Sequence, residues 1–242
     1  MSGSYFYVRI ALPLNSYILV FTFLGGVQLK NVFIILFLIT SIYYVFFDSF
    51  ISDPIKIVFK LIPMILVLLI AFLSNNLAKT YKTFVLIALI FCAIGDYTIQ
   101  WFIFGLISFL IGHLFYIRAF LSTNEQKVPS IAKILLVAYG IVMAFIILSA
   151  VIQTGNIVMA IAVFCYITVI LTMGWTAFRT KSKLAIIGAC LFIISDSVLA
   201  INKFVLSVDY SHQLIMSTYY CAQIFIALSI DNYSAIKSKG VQ

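Results

Sequence analysis

Two aspartates lie within apolar stretches of this chain, and they are the residues best suited to do chemistry. Asp96 ends the stretch FCAIGD, and Asp196 lies near the middle of LFIISDSVLAINKF. An ionised carboxylate at such a depth in lipid costs roughly 2.5–3.5 kcal/mol on insertion scales. Of two carboxyl groups in a lipid-lined pocket, one can hold a proton and act as an acid while the other acts as base or electrostatic stabiliser. This division predicts either hydrolysis through an oxocarbenium-like cation or proton relay in a transporter.

Further polar side chains are predicted at a similar depth in other apolar stretches. They are Lys60, His113, Tyr116, Tyr219, Tyr220 and Gln223, together with the hydroxyl of Ser195. At 1.5 Å per residue, Lys60, Asp96 and Asp196 lie roughly 8 to 10 Å below one membrane face. The same arithmetic places Tyr219 and Tyr220 at roughly 12 Å and His113 at roughly 15 Å. Because polar groups in lipid face the interior of a helical bundle, this shared layer predicts one site.

A purely structural explanation is open for each of these residues taken alone. A buried salt bridge between Lys60 and one aspartate would fix only the register of two helices. Gln223 would then be an interhelical hydrogen-bonding group, worth about 0.6 kcal/mol on average. Asn202 is expected where its span ends at the membrane interface. The charges of two aspartates, one lysine and one histidine do not balance, however, and this favours a functional site.

The elements that position these residues are predicted to be transmembrane helices. Hydrophobic residues make up 64% of the 242 residues, too many for a soluble domain to bury. A span of the roughly 30 Å bilayer core takes about 20 mostly apolar residues, and the chain supplies roughly eight or nine of them. The predicted spans are 8–28, 31–47, 54–74, 82–101, 103–121, 131–152, 156–178, 183–203 and 212–233. The fold class is therefore an all-α polytopic bundle, in which Ser108 and Gly112 bring the helix of His113 close to a neighbour.

The net charge of +8 reflects membrane topology rather than binding of nucleic acid. Nearly all basic residues fall on one side of the predicted bundle: Lys30, Lys79, Lys82, Arg118, Lys127, Lys133, Arg179, Lys181, Lys183, Lys237 and Lys239. Arg9, Lys56 and Lys203 fall on the other side. The positive-inside rule then places the C-terminus in the cytosol. The four cysteines have neither disulfide nor zinc spacing, so no metal is expected.

The order of motifs resembles the transmembrane protein 86 family, the eukaryotic branch of the YhhN-like lysoplasmalogenases. FIISDSVLAINKF followed by YSHQLIMSTYYCAQIFIALS carries most of this resemblance. KLIP at 60–63, FCAIGD at 91–96 and GHLFYIRAF at 112–120 match further family blocks in the same order. The resemblance covers about residues 31 to 233 and implies a core of eight helices. Residues 1–30 have no clear counterpart and are expected to form an extra transmembrane or interfacial helix, and residues 234–242 a cytosolic tail.

The resemblance implies an integral membrane enzyme of the endoplasmic reticulum that needs no cofactor. It would hydrolyse the vinyl ether bond of lysoplasmalogen, a lysophospholipid, to a fatty aldehyde and glycerophosphocholine or glycerophosphoethanolamine. Asp96, Asp196, Lys60 and His113 are the expected catalytic residues. The expected substrate contacts are Tyr116, Ser195, Asn202, Tyr219, Tyr220 and Gln223. A proton-coupled transporter that uses the same carboxylates is the alternative, and the oligomeric state stays open.

Overall fold

The computed structural model describes residues 14–75, 77–123, 127–180 and 182–239, and these residues form a bundle of long helices. The helices are α1 (Leu14–Phe47), α2 (Asp53–Leu73), α3 (Lys79–Thr98), α4 (Phe102–Leu121), α5 (Ser130–Gln153), α6 (Ile157–Ala177), α7 (Lys183–Phe204) and α8 (Ser211–Lys239). A short 3-10 helix, Asp48–Phe50, follows α1. No strand occurs in the described ranges. In lipid a helix satisfies its own backbone hydrogen bonds, which is why these apolar runs fold this way.

Eight helices in the described part of the chain are long and apolar enough to cross a membrane. They alternate in direction, so their ends define two faces of the bundle. The first face carries Lys30 and the α2–α3, α4–α5 and α6–α7 connections, and the second face carries the α1–α2, α3–α4, α5–α6 and α7–α8 connections. The predicted all-α transmembrane bundle is confirmed.

The first helix differs from the hydropathy pattern, which separates residues 8–28 from 31–47. Residues 14–47 form one continuous helix of 34 residues, because no proline interrupts them and a break would leave backbone groups unpaired. Such a helix is about 51 Å long, and its first half cannot return across the bilayer as an antiparallel span. Residues 1–13, which include Arg9, lie outside the described residues.

Helix α8 is the centre of the bundle in the described part of the chain. α8 packs against α1, α2, α3 and α7, and its membrane-spanning part is 56% buried, the largest share of any span. This position allows side chains of α8 to reach polar groups on several other helices. The functional residues predicted on α8 are therefore in place to organise a site.

Helices α3 and α4 approach each other closely where the sequence predicts it. The hydroxyl of Ser108 donates to the carbonyl of Phe91 at 3.2 Å. A Cβ added to Gly112 would lie 3.1 Å from Sγ of Cys92 and 3.2 Å from the carbonyl oxygen of Ala88. The small pair Ser108 and Gly112 thus seats the helix of His113 against α3, as predicted.

At the first face, a polar cluster joins four helices; we call Lys30, Ser74, Lys82 and Asp231 the first-face clamp. Lys30 of α1 forms an ion pair with Asp231 of α8 and donates to the hydroxyl of Ser74 at 2.8 Å. Lys82 of α3 donates to the carbonyls of Phe72 and Ser74 at 2.6 and 2.7 Å. These carbonyls belong to the end of α2, where they lack helical partners, so the lysine satisfies them.

Candidate active site

Asp96 is buried inside the bundle, where its carboxyl group contacts a lysine and a tyrosine. It is 2% exposed, and its Oδ1 lies 3.2 Å from Nζ of Lys60. The same ammonium donates to the backbone carbonyl of Asp96 at 3.2 Å. The hydroxyl of Tyr219 donates to Oδ2 at 2.6 Å. Each carboxylate oxygen therefore has a partner, as a buried charge requires.

Two consecutive tyrosines of α8 organise this ion pair from different sides. Tyr219 bonds to Asp96 on α3, whereas the hydroxyl of Tyr220 donates to the backbone carbonyl of Lys60 on α2 at 2.8 Å. The ring of Tyr220 lies 6.2 Å from that of Tyr44 on α1. The central helix thus contacts both partners of the ion pair, Asp96 through Tyr219 and Lys60 through Tyr220.

Asp196 lies in a different environment, at the wall of an apolar cavity between α4, α5, α6 and α7. It is half-buried, and its Oδ2 accepts a hydrogen bond from the hydroxyl of Tyr166. No cation partner is found for it among the described residues. The cavity has a volume of about 50 Å³, and its other walls include Phe102, Leu106, Phe109, Tyr139, Met143, Val163, Ile170, Ile193, Ser197 and Phe204.

The cavity reaches the lipid-facing surface of the bundle. Tyr139 lines the cavity and is 37% exposed on the outside of α5. Its hydroxyl forms a hydrogen bond of 2.5 Å with that of Ser197, one residue after Asp196. At about 10–15 Å³ per water molecule, a space of this size holds only a few waters or the first carbons of a chain. A long apolar chain bound here would therefore extend into the surrounding lipid.

The ring of Phe109 separates this cavity from Asp96. It lines the cavity and meets the ring of Tyr219 edge-on at 5.9 Å. A Cβ on Gly95 would lie 2.9 Å from the same ring, so the glycine beside Asp96 leaves the space that Phe109 fills. No described hydrogen bond joins the two aspartates, and their described hydrogen-bond donors are different tyrosines.

His113 is fully buried beside both aspartate environments. Its Nδ1 lies 2.6 Å from the carbonyl oxygen of Phe109. Because a carbonyl can only accept, Nδ1 carries a proton, and the other nitrogen of the neutral ring is an acceptor. That Nε2 is buried without a hydrogen-bond partner in the described part of the chain. The ring lies 4.5 Å from that of Phe192 and 5.4 Å from that of Tyr166.

Tyr116 and Gln223 form a second buried pair next to the histidine. The hydroxyl of Tyr116 donates to Oε1 of Gln223 at 2.5 Å. Nε2 of Gln223 is another buried polar atom with no partner among the described residues. The ring of Phe192 lies within 6.5 Å of the rings of Tyr116, His113 and Tyr219. Phe192 is thus the apolar centre around which these polar side chains are arranged.

Ser195 and Asn202 form hydrogen bonds with backbone groups and do not contact the polar side chains around Phe192 in the described part of the chain. The hydroxyl of Ser195 donates to the carbonyl of Ile215 at 3.0 Å and so links α7 to α8. Oδ1 of Asn202 accepts from the backbone N–H of Val208 at 2.9 Å and stabilises the turn after α7. His212 is partly covered at the second face, where its Nε2 lies 3.8 Å from Oδ2 of Asp48.

The sequence analysis did not select Tyr166, Phe109 and Phe192, which all lie at the candidate site. Tyr166 lies nine residues after the start of α6, so it is about 14 Å from the second face, in the predicted polar layer. Its depth was a signal that could have found it. Phe109 and Phe192 carry no polar group, and nothing in their spacing marks them. Within the described residues, no group of three or more His, Cys, Asp or Glu side chains could hold a metal ion.

Comparisons with known proteins agree with this arrangement of motifs. The profile of the YhhN family matches residues 55–230. The Bos taurus protein named lysoplasmalogenase TMEM86A is 33% identical over 179 residues, which cover 65% of this chain and 72% of the relative. Human lysoplasmalogenase TMEM86B is 34% identical over 145 residues, or 59% of this chain and 61% of the relative. A Mycobacterium tuberculosis protein named lysoplasmalogenase is 32% identical over 148 residues, 57% of either chain.

No solved structure matches this chain. The family profile nevertheless spans most of the region from α2 into α8, with both aspartates, Lys60, His113 and the two tyrosines. This chain therefore belongs to the YhhN family.

Proposed function

We propose that this protein is a lysoplasmalogenase, which hydrolyses the vinyl ether bond of a lysoplasmalogen within the membrane. The products are a fatty aldehyde and glycerophosphocholine or glycerophosphoethanolamine. The observation that carries the proposal is a carboxyl group, Asp196, at the wall of an apolar cavity that reaches the lipid-facing surface. Relatives that are named lysoplasmalogenases, from mammals and from a bacterium, support this assignment.

Asp196 is the proton donor in the first step of the proposed reaction. Hydrolysis of a vinyl ether begins when an acid transfers its proton to the alkene carbon distant from the oxygen. A C–H bond forms, the O–H bond of the acid breaks, and an oxocarbenium cation remains. Asp196 suits this role because Tyr166 occupies only one of its oxygens and no cation pairs with it among the described residues. The sequence left open which aspartate is the acid, and the different partners of the two residues favour Asp196.

Water completes the reaction by adding to the cationic carbon. The Asp196 carboxylate left by the first step takes a proton from this water and is thereby regenerated as an acid. The resulting hemiacetal transfers its hydroxyl proton to the ether oxygen as the C–O bond breaks, which releases aldehyde and the glycerol hydroxyl. The Asp96 carboxylate, paired with Lys60, stabilises the cation through space. His113 and Gln223 offer one acceptor and one donor that can orient the attacking water.

Aldehyde release from matched substrates tests the function. Purified protein is incubated with an alkenyl lysophospholipid, its saturated alkyl ether and its acyl ester, all with the same chain length and head group. We expect aldehyde from the alkenyl compound alone, and neither alcohol nor fatty acid from the other two. If a well-folded sample releases no aldehyde, the proposal is wrong. Uptake of protons or lipid into sealed vesicles then becomes the experiment, because a transporter would use the same carboxylates.

Tyr166 is predicted to support catalysis by orienting the carboxyl group of Asp196 through a hydrogen bond. Replacement by Phe keeps the ring but removes the hydroxyl, so the carboxyl group loses its only described orienting partner. We expect kcat to fall by about 10- to 100-fold, since hydrogen bonds to charged groups are worth about 1.5–3 kcal/mol. Steady-state aldehyde release measures the effect. Tyr43→Phe, on the outside of α1, is the control; equal effects of both changes would contradict the role of Tyr166.

The first face of the bundle is proposed to be cytosolic, in the endoplasmic reticulum. The support is the concentration of Lys and Arg at this face, which follows the positive-inside rule. A protease added to intact microsomes should remove a tag fused to the C-terminus. It should spare a tag inserted between α5 and α6, in the second-face turn at residues 154–156. The reverse pattern would contradict this orientation.

A further inference from the structure

The cavity beside Asp196 ends toward the second face at two aromatic rings, and a lysine lies over one of them. Phe102 at the start of α4 and Phe204 at the end of α7 both line the cavity, and their rings meet edge-on at 5.4 Å. Nζ of Lys203 lies 5.3 Å from the centre of the Phe102 ring. We call Phe102, Lys203 and Phe204 the cavity mouth.

Lys203 and Asp196 lie on the same side of α7. Their separation of seven residues is nearly two helical turns, which brings both side chains to one face and places them about 11 Å apart along the axis. Phe204, which follows the lysine, and Ala200, one turn after Asp196, both line the cavity. The wall of the cavity therefore runs continuously from the carboxyl group to the cavity mouth.

We infer that Lys203 binds the phosphate group of the substrate, and so selects lysophospholipids over ether lipids that have no phosphate. This inference rests on the proposed function, because it uses Asp196 as the position of the reacting bond. In such a substrate, three glycerol carbons connect the vinyl ether to the phosphate. A bond held at Asp196 with its glycerol directed to the second face therefore brings the phosphate toward the cavity mouth.

The properties of Lys203 suit this role. The side chain is exposed, and its ammonium is a charged donor on a flexible four-carbon stem. It ends a span where lipid head groups lie, so the phosphate need not leave the membrane interface. The ring of Phe102 holds the ammonium beside the mouth by a cation–π contact, which leaves the outer side of the ammonium accessible.

Ligand binding without turnover tests the inference. The ligands are a saturated alkyl-glycerophosphoethanolamine and the alkylglycerol of equal chain length, which differ in the phosphate-bearing head group. Binding to wild type, Lys203→Gln and Lys203→Arg is measured in maltoside micelles, which contain no phosphate. We expect Lys203→Gln to weaken binding of the phospholipid about tenfold and to leave alkylglycerol binding unchanged. Lys203→Arg should retain most of the affinity.

Lys133→Gln is the matched control, because Lys133 also lies over an aromatic ring at a helix end, 5.7 Å from the centre of Trp175. It belongs to the first face, far from the cavity mouth, and should bind both ligands as wild type does. Equal weakening of both ligands by Lys203→Gln, or no weakening of either, would overturn the inference. Failure of the proposed function is seen separately, as absence of aldehyde release by wild-type protein, and does not affect these binding measurements.

Discussion

Replacing Asp196 by Asn is expected to reduce aldehyde release by about 10³-fold, because general acid catalysis typically contributes 10²–10⁴ in rate. The amide has nearly the same shape and can still accept the hydrogen bond of Tyr166, but it has no acidic proton to transfer to carbon. Single-turnover measurements with an excess of enzyme isolate the chemical step from product release. Thermal unfolding in the same detergent establishes that the variant is folded.

Asp209→Asn is the control for this experiment, because Asp209 is exposed in the turn between α7 and α8. It removes one carboxylate from the second face without touching the cavity, and we expect wild-type turnover. Asp196→Glu keeps an acidic group but moves it by one methylene, so we expect partial activity. Retention of more than a tenth of wild-type kcat by Asp196→Asn would show that another group supplies the proton.

Lys60→Met is expected to destabilise the protein by about 3–5 kcal/mol, the usual cost of removing one partner of a buried ion pair. The methionine fills a similar volume, but it leaves the Asp96 carboxylate buried with no counter-charge. Adding Asp96→Asn should recover much of this loss, since the second change removes the uncompensated charge. Denaturant unfolding of the two single variants and the double variant gives the coupling between the residues.

The activity of the same variants separates a structural ion pair from a functional one. If the pair only fixes helix register, the stable double variant should retain activity. If Asp96 stabilises the cation, the double variant should be folded but at least tenfold slower. Lys183→Met, at an exposed position at the start of α7, is the control for loss of a lysine. Additive destabilisation of Lys60→Met and Asp96→Asn would contradict a direct pair.

The depth of each polar residue could be predicted from the sequence, because depth follows from span ends and the fixed rise of a helix. This was enough to place Lys60, Asp96, Tyr219 and Tyr220 in one layer, where the structure joins them by direct contacts. The direction in which each side chain points depends on how each helix is rotated about its axis. That rotation is set by packing between helices that are distant in sequence. A single amino-acid sequence does not reveal this packing.

Ser195, Asn202 and Asp196 illustrate this limit on a single helix. All three were expected at the site, but only Asp196 faces the cavity. Ser195 lies about 100° around the helix from its neighbour and bonds to α8 instead. Asn202 lies beyond the layer and its side chain turns back to the following loop. Tyr166, the hydrogen-bond partner of Asp196, lies on α6, which contains no charged residue. A search that began from charged residues therefore did not select it.

The first-face clamp and the two tyrosines of α8 have a consequence for how the protein is made. Chains are synthesised from the N-terminus, so α8 leaves the ribosome after α1 to α7. Until then Lys30 has no Asp231, and Asp96 has no Tyr219. A nascent or truncated chain without α8 therefore lacks the counter-charge of Lys30 and the hydroxyl that completes the hydrogen bonding of the Asp96–Lys60 pair. Insertion of α8 would then complete the first-face clamp and the surroundings of Asp96 in one event.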